Sequence, residues 1–400
     1  MPPIFTMDCF LGKVSCDLLN EYLRNRHIEL PVMPDMLRSN DPERTTTLMR
    51  AIMALPDNLR ETIETDFYDL FYLGTKSGLE ELVRVGRAGA AGTVVELEPL
   101  LEPWKVLHDK AIWTMLHHYP IYEIANERMK VIAVKGWKNR DIGPLPERPA
   151  TDRETCERLA EVIKAYYAHQ GRAECCAVRC YEHVECTYYC AYPLDYAVRE
   201  PKYLPDGSLV FEPHRETFDL IWRYNHLSGR LSMHIPDPSK SVIDDLTRIF
   251  VETVIEVPVS PSEHIFDLEM LRSTSDDDLL MSARELFPQI EYVRLKEMCL
   301  QVNNQAHQYI TLTTGRDHMR PWLPMPEFRQ RTLNHQDQMM ANTTIVEASI
   351  QVKFPGKGKQ GSVTSRVKLP DTCYLGDTLN ARRAQQLLAH WGIDRVRRAS

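Results

Sequence analysis

Apolar positions along the first third of the chain recur every three or four residues, the spacing of helices that bury one face. Leu18, Leu19 and Leu23 share one side of residues 14–24. Leu59, Ile63, Phe67, Leu70 and Phe71 do the same over 58–73, and 46–53, 104–116 and 122–137 continue the pattern. Pro31, Pro34, Pro42 and Pro56 fall in the gaps, where a residue without an N–H ends helices rather than breaking them. The pattern predicts a helical domain over residues 1–148. Residues 140–151 hold three prolines and few apolar side chains, which marks a boundary.

Beyond that boundary the composition changes. Residues 172–192 are dense in Cys, Val, Thr and Tyr, which suits paired strands. Residues 218–224 and 230–235 flank Asn225-His226-Leu227-Ser228-Gly229, a hairpin turn, and Leu204-Pro205-Asp206-Gly207 marks another. Thr151 or Asp152 caps a helix through Leu159, Ile163 and Tyr166 to Gly171. A second helix buries Val242, Ile243, Leu246, Ile249, Phe250 and Val254. Residues 150–258 are therefore expected to form an α+β domain containing a cysteine-rich hairpin, its antiparallel sheet covered by helices on one face.

Residues 260–400 predict a second such layer. A helix over 273–286 starts with Asp276, Asp277 and Asp278, which complement its dipole. Strand-like stretches follow at 291–303, 308–313, 346–354 and 362–369, and a helix at 379–391 closes the chain. The expected class is α+β: an N-terminal helical domain followed by two antiparallel-sheet-plus-helix layers. Both layers end in a hairpin and a helix, without a shared residue pattern.

Composition places the chain among ordinary globular proteins, with 43% hydrophobic and 26% charged residues in 400. No apolar run approaches the length of a membrane span, and Met1-Pro2-Pro3-Ile4-Phe5 lacks the basic and apolar regions of a signal peptide. A cytoplasmic location without membrane partners is expected. Ten cysteines with no CxxC spacing fit reduced, mostly buried thiols.

Charge alters this picture at one end. The net charge is −8, yet residues 351–400 hold ten Lys/Arg against three Asp, a local +7. The cations are Lys353, Lys357, Lys359, Arg366, Lys368, Arg382, Arg383, Arg395, Arg397 and Arg398. They are the candidate residues for contact with nucleic acid or an acidic protein. Lys357 and Lys359 sit in the hairpin tip Pro355–Gly361 between glycines, which permit close approach to a phosphate. Few aromatics interleave, so single-strand stacking is poorly supported.

Other chemistry reads weakly. Cys176, Cys180, Cys186 and Cys190 share sequence parity. A turn near His183 would set Cys180 opposite Cys186 and Cys176 opposite Cys190. The two pairs would then lie about 13 Å apart at ~3.3 Å per residue, too far for one tetrahedral zinc. Core thiols are the preferred reading over a metal site or a redox pair. His117 and His118 point about 100° apart on a helix and, like His108, read as surface or interface residues. The Gly86–Gly92 stretch has no preceding strand and no following GK[ST], so it is not a phosphate loop. Asp195 with Glu200-Pro201-Lys202 is the nearest match to a metal-dependent nuclease pattern, but the segment reads as a loop. No GxSxG, HExxH or kinase signature occurs.

No family's motifs are evident. The expected function is that of a non-enzymatic binding or scaffold protein, an adaptor within a multi-component assembly. A prokaryotic defence or regulatory system is the suggested setting. The helical domain would dock a protein partner, and the basic C-terminal region would contact nucleic acid or an acidic partner. No cofactor and no metal are expected. The alternative is a metal-dependent nucleic-acid-processing enzyme, a nuclease with a non-sequential site.

Overall fold

The computed structural model describes residues 5–32, 43–90, 92–183, 185–204, 206–236, 238–256, 262–263, 266–303, 308–315, 325, 342–356, 361–376 and 378–394. The chain forms two compact units, Met1–Ala133 and the remainder from Val134, with Pro205–Gly207 grouping with the first.

Unit 1 is helical. Its elements are α1 (Met7–Leu11), α2 (Cys16–Asn25), α3 (Arg44–Met53), α4 (Asp57–Leu73), α5 (Lys76–Arg87), α6 (Leu97–Leu101), α7 (Leu107–His117) and α8 (Tyr119–Ile132). The three-and-four spacing read in α2 and α4 converges on one core, where Leu18, Leu19, Leu23, Ile63, Phe67 and Leu70 are at most 1% exposed. Phe10 packs on Phe67 with ring centroids 4.6 Å apart. The helix expected over 122–137 stops at Ile132.

Unit 2 is built on a large antiparallel sheet. Its elements are β1 (Trp137–Asp141), α9 (Arg153–Ala168), β2 (Cys176–His183), β3 (Cys186–Tyr203), β4 (Leu209–Thr217), β5 (Leu220–Asn225) and β6 (Arg230–His234). There follow α10 (Lys240–Phe250), β7 (Ser262–Glu263), α11 (Asp276–Leu286), β8 (Tyr292–Val302) and β9 (Tyr309–Thr313). The last are β10 (Thr343–Lys353), β11 (Ser362–Lys368), β12 (Thr372–Tyr374) and α12 (Leu379–His390). The strand order is β2-β3-β5-β6-β1-β12-β11-β10-β8-β9, with β4 pairing β3 and β7 pairing β1 off this path. The α+β class is as expected. The stretches 150–258 and 260–400 contribute strands to one sheet, joined through β1 and β12.

The strand joining them is β1, whose first residue the helical reading had absorbed. Gly136, at φ +82°, lies between α8 and this strand. The sequence Trp-Lys-Asn-Arg-Asp shows no apolar alternation because its polar side chains are held by specific partners. Asn139 Nδ2 donates to Asp371 O at 2.8 Å and Arg140 Nη1 to Asp371 Oδ2 at 2.6 Å. Burial presses the Arg140 pKa down, but hydrogen bonds to Asp371 and Asp244 more than offset it and leave it raised.

Register places the helices on opposite faces of the two halves. Tyr189 pairs with Trp222 and Trp222 with Met233, all on the face that packs against α9 and α10. Trp137 pairs with Cys373 and Cys373 with Val367, on the other face, which α11 and α12 cover. Asp152 caps α9 by accepting from Thr155 N, and Ser275 and Asp278 form a capping box on α11. The acidic run at 276–278 is thus a helix start.

The cysteine hairpin has a tighter turn than expected. Its register pairs His183 with Cys186 and Cys180 with Tyr189, not Cys180 with Cys186. This offset sends Cys176 and Cys180 toward α9, and Cys186 and Cys190 to the opposite face. All ten cysteines are free thiols. Four of them, Cys16, Cys186, Cys190 and Cys373, are buried, Cys175 is exposed and the other five are half-buried, fewer core thiols than expected. Burial raises the Cys176 pKa to about 11 and the Cys373 pKa to about 12, which disfavours the nucleophilic thiolate at both.

Candidate functional site

A cleft of about 450 Å³ opens in unit 2 on the sheet face that α12 partly covers. Its sheet side is formed by His183 and Cys186 from the β2–β3 turn, Arg223 and Asn225 from β5, Ser228 from the next turn, and Arg230 and Ser232 from β6. Leu379, Arg382, Arg383, Gln385, Gln386 and Ala389 of α12 form its other side, with Phe287 and Asp394. Four arginines against Glu185 and Asp394 leave a local excess of positive charge, in a chain whose total is negative.

The strands alternate strictly here. Trp222, Tyr224, Leu231 and Met233 go to the apolar core under α9 and α10. Arg223, Asn225, Arg230 and Ser232 therefore point the other way, to the cleft. Arg230 is locked in place. Its Nη1 and Nη2 donate to the two carboxylate oxygens of Asp394 at 2.7 and 2.5 Å, and the two side chains are 4% and 2% exposed. Arg223 lies over the Trp137 ring, 4.6 Å from its centroid, and its Nη2 donates to Ser232 Oγ at 3.3 Å.

The α12 wall is organised differently. Thr378 caps the helix by accepting from Ala381 N. Ala381, Ala384, Leu387 and Leu388 are buried against the second sheet half, which turns the arginine side outward. No acidic residue occurs anywhere in α12, and Arg382 and Arg383 follow directly on its first turn. That inverts the usual arrangement, since the positive end of the helix dipole favours anions. Arg383 rests over the rings of Phe287 and Phe354 at 5.8 and 6.0 Å. Its charge has no carboxylate counterpart among the described residues.

The ten cations singled out in the sequence do not form one surface. Arg382 and Arg383 line the cleft. Arg366 and Lys368 alternate with buried Val367 and so lie on the opposite face of the sheet. Arg366 is already engaged by Glu347 and lies 5.7 Å from the Tyr374 ring centroid. Lys353 is only 5% exposed, and its Nζ donates to Gly356 O at 2.7 Å. Lys357, Lys359, Arg395, Arg397 and Arg398 lie outside the described residues. Arg223, Arg230 and His183 were missed by charge counting, because they lie outside the basic C-terminal stretch, in a region without a charge excess. The signal was there in the two-residue period, with arginine on the strand face opposite Trp and Leu.

The other candidates are dispersed. Asp195 is ion-paired with Arg172 at 2.8 Å, and Glu200 faces Glu212 across an exposed ribbon. Pro201 lies within strand β3 rather than in a loop. No group of three or more His, Cys, Asp or Glu suited to a metal occurs among the described residues. His117 Nε2 lies 3.2 Å from Glu21, on the surface of unit 1. No helix among the described residues is long and apolar enough to cross a membrane. No family model matches the chain, and no curated protein matches its sequence.

Proposed function

We propose that this chain is a non-enzymatic binding protein that takes an anionic group of a partner, nucleic acid or acidic protein, into the arginine-lined cleft of unit 2. It would act as one component of a larger assembly in the reducing cytoplasm. The observation that carries this reading is the meeting of Arg382 and Arg383, on an acid-free helix, with Arg223 and Arg230 from the sheet around one cavity. Guanidinium groups suit planar, bidentate recognition of phosphate and carboxylate. The cleft volume falls in the range that holds one small-molecule-sized group rather than a duplex. The partner would therefore present an end, a loop or a single side chain.

The test is a fluorescence-anisotropy titration with three labelled probes: a short single-stranded RNA, a duplex DNA and a polyglutamate peptide. Saturable binding of at least one probe, weakened about tenfold or more in R382E/R383E, is expected. Circular dichroism should show the variant folded, because both side chains are only half-buried. No binding of any probe, or equal binding by both proteins, would contradict the reading.

A further inference from the structure

Helix α9 lies along β2, the outermost strand at its end of the sheet, which is hydrogen-bonded to β3 alone. Side chains alternate along β2, and Cys176, Val178 and Cys180 pack into the core under α9. On α9, Cys156 precedes buried Leu159, Ala160 and Ile163 at helical spacing, so it belongs to the same inward stripe. Two contacts then fix how helix and strand align. At one end the Cys180 thiol hydrogen-bonds to Cys156. At the other, Cys176 is within electrostatic reach of Lys164 and Glu161. Cys156 to Lys164 is ~12 Å of helix at ~1.5 Å per residue, and Cys180 to Cys176 is ~13 Å of strand at ~3.3 Å. The two spans match. The meeting of the two sulfurs therefore follows from the packing of whole elements.

We propose that Cys156 and Cys180 form a peroxide-reactive dithiol, which closes to a disulfide that staples α9 to the outermost strand. The hairpin's own cysteines are split between two faces of the sheet, so the sulfur that meets Cys180 comes from the preceding helix. Both thiols are half-buried, within reach of a small oxidant and screened from a large one. Strand β2 ends at His183, in the wall of the cleft, so the staple would hold the strand that carries that wall.

The order of events follows from the hydrogen bond. Burial raises the pKa of both thiols, which keeps the pair reduced until peroxide accumulates. The Cys180 S–H donates to Cys156, which favours the thiolate at Cys156 and opposes it at Cys180. Cys156 is thus the attacking sulfur. Its thiolate takes one oxygen of a hydroperoxide, the O–O bond breaks, and a sulfenic acid and an alcohol or water result. The Cys180 sulfur then displaces the sulfenic oxygen. The S–S bond forms, the S–O bond breaks, and the Cys180 proton leaves with that oxygen as water. Two electrons pass from the two thiols to the peroxide. A disulfide of this kind is transient in a reducing compartment, since thiol reductants restore the dithiol.

Peptide mapping without reductant tests this. The reduced protein is treated with hydrogen peroxide, its remaining thiols are alkylated and the chain is cut with trypsin. Cys156 then lies in peptide 154–158 and Cys180 in peptide 180–199. The two should appear as one linked species after peroxide, absent before it and released by dithiothreitol. C156S and C180S should each lose that species. A wild type that forms no link at doses that oxidise the exposed Cys175 overturns the proposal, whatever the folding of the variants. A link that survives in C180S overturns it as well, because Cys186 or Cys190 would then be the partner of Cys156. The cleft titration, run in reducing buffer, stands or falls independently of both results.

Discussion

Asp394 ties the end of the described chain to the sheet through both terminal nitrogens of Arg230. Removing one partner of so buried a pair strands the other charge away from water, at a cost of about 3–5 kcal/mol. D394A should lower the urea midpoint of unfolding by a corresponding amount, and an unchanged midpoint would show that Arg230 is solvated. His108 is a second test at this scale. Burial, assisted by Lys13, depresses its pKa to about 4. The unfolded chain, with an ordinary histidine near 6.5, takes up a proton that the folded chain refuses. The His108 contribution to stability is thus complete above about pH 6.5 and falls as pH drops toward 4. Thermal unfolding of H108Q across that window should depend less on pH than that of wild type.

Elements were legible where one face is apolar and the other is not. The helices of unit 1, the cap at Asp152, the capping box at Ser275 and the closing helix α12 follow from periodicity and end signals. What was hidden depended on pairing. The register of β2 with β3 is fixed by a two-residue turn, so shared parity of the cysteines did not put them on one face. Strand β1 was hidden because its burial rests on Asp371, Asp244 and Ser232, which are remote in sequence. The turn after β5 is similarly constrained. Gly229 sits at φ +68°, and a Cβ there would lie 1.9 Å from the Gly143 carbonyl carbon. Gly207, at φ +79°, has nothing within 4 Å. G229A should therefore destabilise the protein by clearly more than the ~1 kcal/mol expected of G207A. Equal losses, measured by chemical denaturation, would show that the β5–β6 turn can move.

For the whole molecule, charge counting pointed to the C-terminal fifty residues, and two of the ten cations it named, Arg382 and Arg383, line the cleft. It could not say which cations share a surface. The sheet divides them, with Arg382 and Arg383 in the cleft and Arg366 and Lys368 on the opposite face. Part of the local +7 meets Arg223 and Arg230 in the cleft, from a region the charge count passed over. The most direct test of this account is the salt dependence of single-stranded RNA binding in the titration above. With phosphate contacts from Arg382 and Arg383, the slope of log K against log salt should be shallower in R382E/R383E by about 1.4, at ~0.7 per contact. Identical slopes for wild type and variant would contradict a role for the cleft in holding the anion.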